Sequence, residues 1–222
     1  MTLRYMPYFK NSDLNLNTLL IHIPKTGGTS ICHYFSEKYK IPLNNSCIYT
    51  PVKHDEDPGC KTMQHYSYNK IMDSREEDIY PFNTIDLSGL QILTAVRNPY
   101  DRVLSDMFFF HMISSQTSQE QFFEILRDQY LGNSRNRNLD NHSLPQSYFL
   151  CGILEDPRLT ILKTENLNDG MRNLGYTDFD IRVCTTFHHK AYRDFLNADS
   201  IRLINDVYFM DFEYFGYEPI EP

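Results

Sequence analysis

The chain has 222 residues, 41% hydrophobic and 14% aromatic, with 21 Lys and Arg against 29 Asp and Glu for a net charge of −8. That apolar content excludes a wholly disordered chain, and nine Gly with eleven Pro exclude a collagen-like one. The acidic balance argues against a generic nucleic-acid binder, so an anionic ligand has to be held by local groups.

The first residues carry no apolar signal-peptide core, and no stretch approaches the roughly 18 apolar residues of a membrane span. Cysteines 32, 47, 60, 151 and 184 form no CxxC pair, as expected of reduced thiols in a cytoplasmic protein. A soluble catalytic piece of a membrane-anchored parent would read the same way. No linker divides the chain, which predicts one domain over 1–222.

In chain order, Thr18 to Ile23 (TLLIHI) predicts a buried strand ended by Pro24. A glycine turn follows, then a helix with Ile31, Tyr34, Phe35 and Tyr39 on one face. Residues 41–62 are irregular, and a short helix begins near His65. Leu90 to Val96 (LQILTAV) predicts a second buried strand, and Asn98-Pro99 opens the next helix. A helix over Ser118 to Tyr130 precedes the most polar loop, 132–145. Leu159 to Lys163 is a third strand, followed by a helix from Glu165 to Leu174 stopped by Gly175. A late helix spans Ser200 to Phe209 before an aromatic tail. Strands alternating with helices define an α/β fold with a mainly parallel sheet, P-loop-like in its strand–turn–helix start.

The sharpest chemical feature is Pro24-Lys25-Thr26-Gly27-Gly28-Thr29-Ser30, between a strand and a helix. Backbone N–H groups of such a turn converge, the helix N-terminus adds positive potential, and Lys25 adds a charge. This predicts a phosphate or sulfate cradle, although Lys precedes the glycines, unlike the nucleotide pattern GxxxxGK[ST]. The second feature is Arg97-Asn98-Pro99-Tyr100-Asp101-Arg102-Val103-Leu104-Ser105. Arg97 stands at a strand's C-terminal end, where open α/β sheets bind ligands. Arg97 and Ser105 together suit a second phosphate, whereas Arg102 reads as a structural partner of Asp101 or Asp106.

These two segments resemble the sulfotransferases: PKTGGTS looks like their 5′-phosphosulfate loop, and RNPYDRVLS like their 3′-phosphate motif. The wording is closest to the carbohydrate branch of heparan and chondroitin O-sulfotransferases, with weaker echoes in LPQSYFL, ILKTENL and DFEYFGYE. The resemblance implies 3′-phosphoadenosine 5′-phosphosulfate (PAPS) as donor, 3′-phosphoadenosine 5′-phosphate (PAP) as product, and a hydroxyl acceptor, a glycan or small molecule. It implies that Lys25 neutralises the leaving oxygen, that Thr26, Gly27, Gly28, Thr29 and Ser30 hold the 5′-phosphate, and that Arg97 and Ser105 hold the 3′-phosphate. Lys190 and Tyr192, in a late basic-aromatic stretch, are candidate donor contacts. The general base is expected at His65, between the two motifs, with His22, His54, Asp55 and Glu56 as lesser candidates. No paired Cys/His ligand set calls for a metal. Arg127, Arg135, Arg137 and His142 form a basic patch that either receives an anionic acceptor or is plain surface. Gln146 and Tyr148 flank it as candidate acceptor-cleft residues. Tyr208, Phe212, Phe215 and Tyr217 read as core. An ATP-dependent kinase or hydrolase, and a non-catalytic nucleotide-binding module, are the alternative readings.

Overall fold

The computed structural model describes residues 8–41, 60–80, 82–132, 139–180 and 192–222. Four strands form one sheet: β1 (Tyr8–Asn11), β2 (Leu16–Ile21), β3 (Gln91–Val96) and β4 (Leu159–Lys163), in the order β1-β2-β3-β4. β2–β3 and β3–β4 pair in parallel, with Leu19 opposite Ile92 and Thr94 opposite Ile161, while β1 pairs antiparallel with β2. β1 has no counterpart among the expected strands. Its four residues lie in a polar stretch and gain their order from the ladder with β2.

β2 and β3 are hydrophobic on both faces because both faces are covered. Leu19, Ile21, Ile92 and Val96 enter one apolar cluster with Ile71 and Phe82. Leu20, Leu93 and Ala95 enter the opposite one with Ile31, Phe35 and Met171. Helix α1 (Gly28–Tyr39) and α2 (Tyr68–Glu76) bring Phe35 and Ile71 to these faces. α3 (Pro99–Phe109) starts with Asn98 accepting from the Tyr100 N–H at 3.0 Å and with Pro99 in its first turn. α4 (Gln119–Ile125) runs on into a π-helical turn, Leu126–Leu131. α5 (Gln146–Phe149), α6 (Leu167–Asn173), α7 (Ala198–Val207) and α8 (Phe209–Phe215) complete the helices used below.

The aromatic tail is α8 in its first half. Phe212 joins a helical core with Tyr100, Val103, Met107 and Tyr208, so these aromatics pack as expected. The parallel strands end at Ile21, Val96 and Lys163, all at the same end of the sheet, and the candidate site stands just beyond them.

Candidate active site

The turn after β2 is built around two left-handed residues, Lys25 (φ 64°) and Gly27 (φ 92°). Gly27 needs its missing side chain: a Cβ there would be strained by that φ and would press Leu167 at 3.1 Å. Gly28 is glycine for a different reason. A Cβ there would stand 2.4 Å from the His22 ring, so the helix entrance and that ring share one space. The Gly27 carbonyl accepts from the Ser30 and Ile31 N–H groups, starting α1. The Thr26 hydroxyl donates to the Ile23 carbonyl at 2.8 Å, and the Thr164 hydroxyl braces the turn by donating to the Thr26 carbonyl at 2.5 Å. Thr26 thus contributes shape through its hydroxyl. Thr29 is half-buried and Ser30 buried.

Arg97 forms the neighbouring wall and touches the turn, its guanidinium donating to the Lys25 carbonyl at 3.4 Å. Gln146 clamps its backbone from both sides, accepting from the Arg97 N–H at 2.8 Å and donating to its carbonyl at 2.9 Å. The buried Asp211 of α8 in turn accepts from the backbone N–H groups of Gln146 and Ser147, both at 2.8 Å. Burial lowers the pKa of Arg97, opposed by Asp101 and Glu165, and a guanidinium stays charged through such a shift. Ser105 is buried on α3, at 3% exposure.

The third part is a cluster of buried histidines. The His65 Nδ1 lies 2.8 Å from an Asp140 carboxylate oxygen. Asp140 also accepts from the Lys61 N–H at 2.5 Å, the Thr62 N–H at 2.7 Å and the Thr62 hydroxyl at 2.8 Å. Burial alone would raise the Asp140 pKa, but the bonds from His65 and Thr62 hold it well below the usual carboxylate range. An ionised carboxylate only accepts, so Nδ1 carries the imidazole proton and Nε2 is left with its lone pair. Burial lowers the His65 pKa, partly offset by Asp140, so the ring is a neutral base. His22 packs edge-on against it at 5.4 Å, and burial, then its histidine neighbours, push His22 down to about 3.

On the other side of His65 the His142 ring stands edge-on at 4.7 Å. Its Nδ1 is 2.6 Å from Asp106, which also accepts from the Tyr130 hydroxyl at 2.6 Å. His142 stacks on Phe109 at 5.8 Å, and the Lys25 ammonium sits 4.2 Å above that same Phe109 ring. One run of contacts therefore joins the turn's lysine to His65.

Two expectations are corrected here. His142 is not part of an exposed basic patch: it is 6% exposed and faces His65, while Arg127 is exposed and pairs with Asp128. Gln146 does not line a cleft, because its amide is buried between Arg97 and Asp211. Arg102 is structural, as expected, yet its direct hydrogen bonds run to backbone carbonyls of Pro24 (3.1 Å), Leu144 (2.9 Å) and His142 (2.5 Å) rather than to a carboxylate. Lys190, Arg135, Arg137, His54, Asp55 and Glu56 lie outside the described residues, as does the Tyr192 side chain. Sequence reasoning missed Asp140, Asp106 and Tyr130. The available signal was Asp140-Asn141-His142 just before Pro145-Gln146, a polar triplet leading directly into a motif-like stretch.

A lysine-bearing glycine turn between a strand and a helix, beside a histidine oriented by a carboxylate, has the groups that sulfuryl or phosphoryl transfer uses. The family comparison separates the two: the model described as "Sulfotransferase family" matches residues 13–218, and the chain belongs to that family. That membership supports sulfuryl rather than phosphoryl transfer. No curated protein and no solved structure matches the chain.

Proposed function

We propose that the chain, acting as one domain over 1–222, transfers a sulfuryl group from PAPS to a hydroxyl of a carbohydrate-like acceptor. The observation that carries this reading is His65 fixed by Asp140 at 2.8 Å, within one run of ring contacts from Lys25. In it, the acceptor oxygen bonds to sulfur as the bond from sulfur to the 5′-phosphate oxygen breaks. The acceptor proton goes to the His65 Nε2, and the negative charge arriving on the phosphate meets Lys25 and the N–H groups at the start of α1. The products are the sulfate ester and PAP. Arg97 and Ser105 bind the 3′-phosphate, with Lys190 and Tyr192 as further donor contacts. Such a transfer relies on positioning and charge, which this turn supplies through groups already fixed by local bonds.

The test is calorimetric titration with PAP, AMP and ATP, then a screen of hydroxyl acceptors read as PAP release from PAPS. PAP is expected to bind best. Arg97→Ala is expected to weaken PAP by about 1.5–3 kcal/mol, the range for a hydrogen bond to a charged group. Equal binding of ATP and PAP, or no effect of Arg97→Ala, would sink the donor assignment.

A further inference from the structure

Three buried histidines touch in sequence, His22 to His65 at 5.4 Å and His65 to His142 at 4.7 Å between ring centroids. His65 and His142 each have a carboxylate at Nδ1, from Asp140 and Asp106. His22 has neither a carboxylate nor, among the described residues, any other hydrogen-bond partner at its ring nitrogens. Its polar edge is nonetheless open: the one fully enclosed side-chain polar atom without a partner among the described residues is the Gln64 Oε1. A 6%-exposed imidazole with an open edge has a hydrogen bond to give to a ligand.

The position of that edge says which ligand group it meets. His22 follows β2 directly and stands two residues before the first residue of the turn at 24–30. Its Cδ2–Nε2 edge packs on Gly28, where a Cβ would stand 2.4 Å from Cδ2 and 2.7 Å from Nε2. Gly28 is the first residue of the 12-residue helix α1, so this edge lies at a helix N-terminus, where negative charge is favoured. The same ring meets His65 edge-on. One ring thus touches the helix end assigned to the leaving phosphate and the histidine assigned to the acceptor proton. In an in-line transfer the sulfur travels between those two points, so the sulfuryl oxygens pass beside His22.

We propose that His22 is a catalytic residue whose ring donates an N–H hydrogen bond to a peripheral oxygen of the sulfuryl group during transfer. This rests on the reading of the chain as a sulfotransferase with His65 as base. The bonds made and broken are those given above, and His22 keeps its proton throughout. Burial, then the neighbouring histidines, hold the ring uncharged down to about 3. Neutrality suits the role. A neutral imidazole always has one N–H to offer, and with no partner fixing its tautomer the proton can occupy whichever nitrogen faces the oxygen. An imidazolium there would instead oppose the proton arriving on His65. A neutral ring at a helix N-terminus polarises an oxygen without surrendering its proton.

Nitrogen-15 NMR of the histidine rings on the whole chain reads the contact without turnover, comparing the PAP and PAPS complexes with no acceptor present. The His22 ring is expected to differ between the two, its N–H proton moving downfield with PAPS, which alone carries the sulfuryl group. Identical His22 signals in both complexes overturn the proposal. His22→Met and His22→Gln then separate a hydrogen bond from packing, since the side chains match in length and only Gln donates. In His22→Met, kcat for PAP release is expected to fall about 10²- to 10³-fold, the range for losing one such donor. His22→Gln is expected to recover about tenfold or more of that, with PAP affinity within about threefold of wild type in both variants. Equal kcat in the two variants overturns the proposal, as does a loss of PAP affinity as large as the loss of kcat. If His22→Met does not fold, the NMR comparison decides. Failure of PAPS to bind the wild type would instead sink the donor assignment proposed above, and this role with it.

Discussion

Replacing Asp140 by Asn swaps one carboxylate oxygen for an NH₂ while keeping the shape of the hub. The retained oxygen still accepts from the Lys61 and Thr62 N–H groups, which both use Oδ1. The new NH₂ faces the Thr62 hydroxyl and His65 Nδ1, which both use Oδ2. The Thr62 hydroxyl can rotate, but the imidazole cannot point its proton at another donor. His65 then adopts the other tautomer, with its Nδ1 lone pair on the amide and its proton on Nε2, the nitrogen the acceptor needs empty. Losing one charge-assisted bond costs about 1.5–3 kcal/mol. That corresponds to a melting temperature lower by about 3–12 °C for a chain of this size. Turnover should suffer more, by about 10²- to 10⁴-fold, the upper figure being that of the same swap behind a serine-protease histidine. PAP affinity should stay put, since neither bond reaches the turn at residues 24–30. The assay is PAP release under saturating PAPS, beside PAP calorimetry and a thermal melt. Thr62→Val is the control: it removes one Asp140 bond, leaves the tautomer alone, and should keep turnover within about threefold despite losing about 1 kcal/mol. Turnover in Asp140→Asn within that same margin would refute the tautomer argument, and a parallel loss of PAP affinity would reassign Asp140 to the donor site.

Gly28→Ala should push the His22 ring by about 1 Å and destabilise the chain by about 1–3 kcal/mol, as overpacking does. In a double-mutant cycle with His22→Ala the two losses should be strongly non-additive; simple additivity would contradict the 2.4 Å approach. Arg102→Met should cost about 3–5 kcal/mol in urea unfolding, because three carbonyls, two in fully buried bonds, lose their donor at once, and a loss below about 1 kcal/mol would refute that accounting. Acid should erode stability in two windows. Native His22 refuses a proton down to about 3, whereas the unfolded chain takes it near 6.5, so stability falls across that interval as pH drops. Asp140, depressed when folded, adds a loss below the ordinary carboxylate value of 3.8. A urea midpoint that is flat between those limits in the wild type, or that falls as steeply in His22→Leu, would contradict the assignment.

The strands β2, β3 and β4 could be read from the sequence because each is a short apolar run set off by its own neighbours, and β4 was read to the residue. The glycine turn was legible for the same reason: PKTGGTS carries its glycines, lysine and hydroxyls in one stretch. His65 could be singled out by its place between the two motifs; the carboxylates paired with the histidines could not. Asp106 sits on a helix whose buried set already includes Tyr100, Val103, Leu104 and Met107, and nothing local marks a carboxylate there as paired. Its partners come from residues 130 and 142, and those of Asp140 from 60, 61, 62 and 65. Long-range pairing converts what looks like a solvated loop into a buried polar centre, and only the fold supplies that information. β1 was missed on the same ground, since four residues of YFKN form a strand only once β2 is present.

The Gln146–Asp211 clamp ties the timing of the site to the far end of the chain. A nascent polypeptide that has emerged through residue 205 contains the glycine turn, both histidine–carboxylate pairs and Arg97. It lacks the carboxylate that accepts from the Gln146 and Ser147 backbones. Until α8 docks, the amide that grips Arg97 on both sides has no anchor of its own at its N–H. The last wall of the site is thus assembled by two successive contacts, 49 and 65 residues apart in the chain, which makes its completion a late event in folding and exposes it to truncations beyond the glycine turn, Arg97 and both histidines.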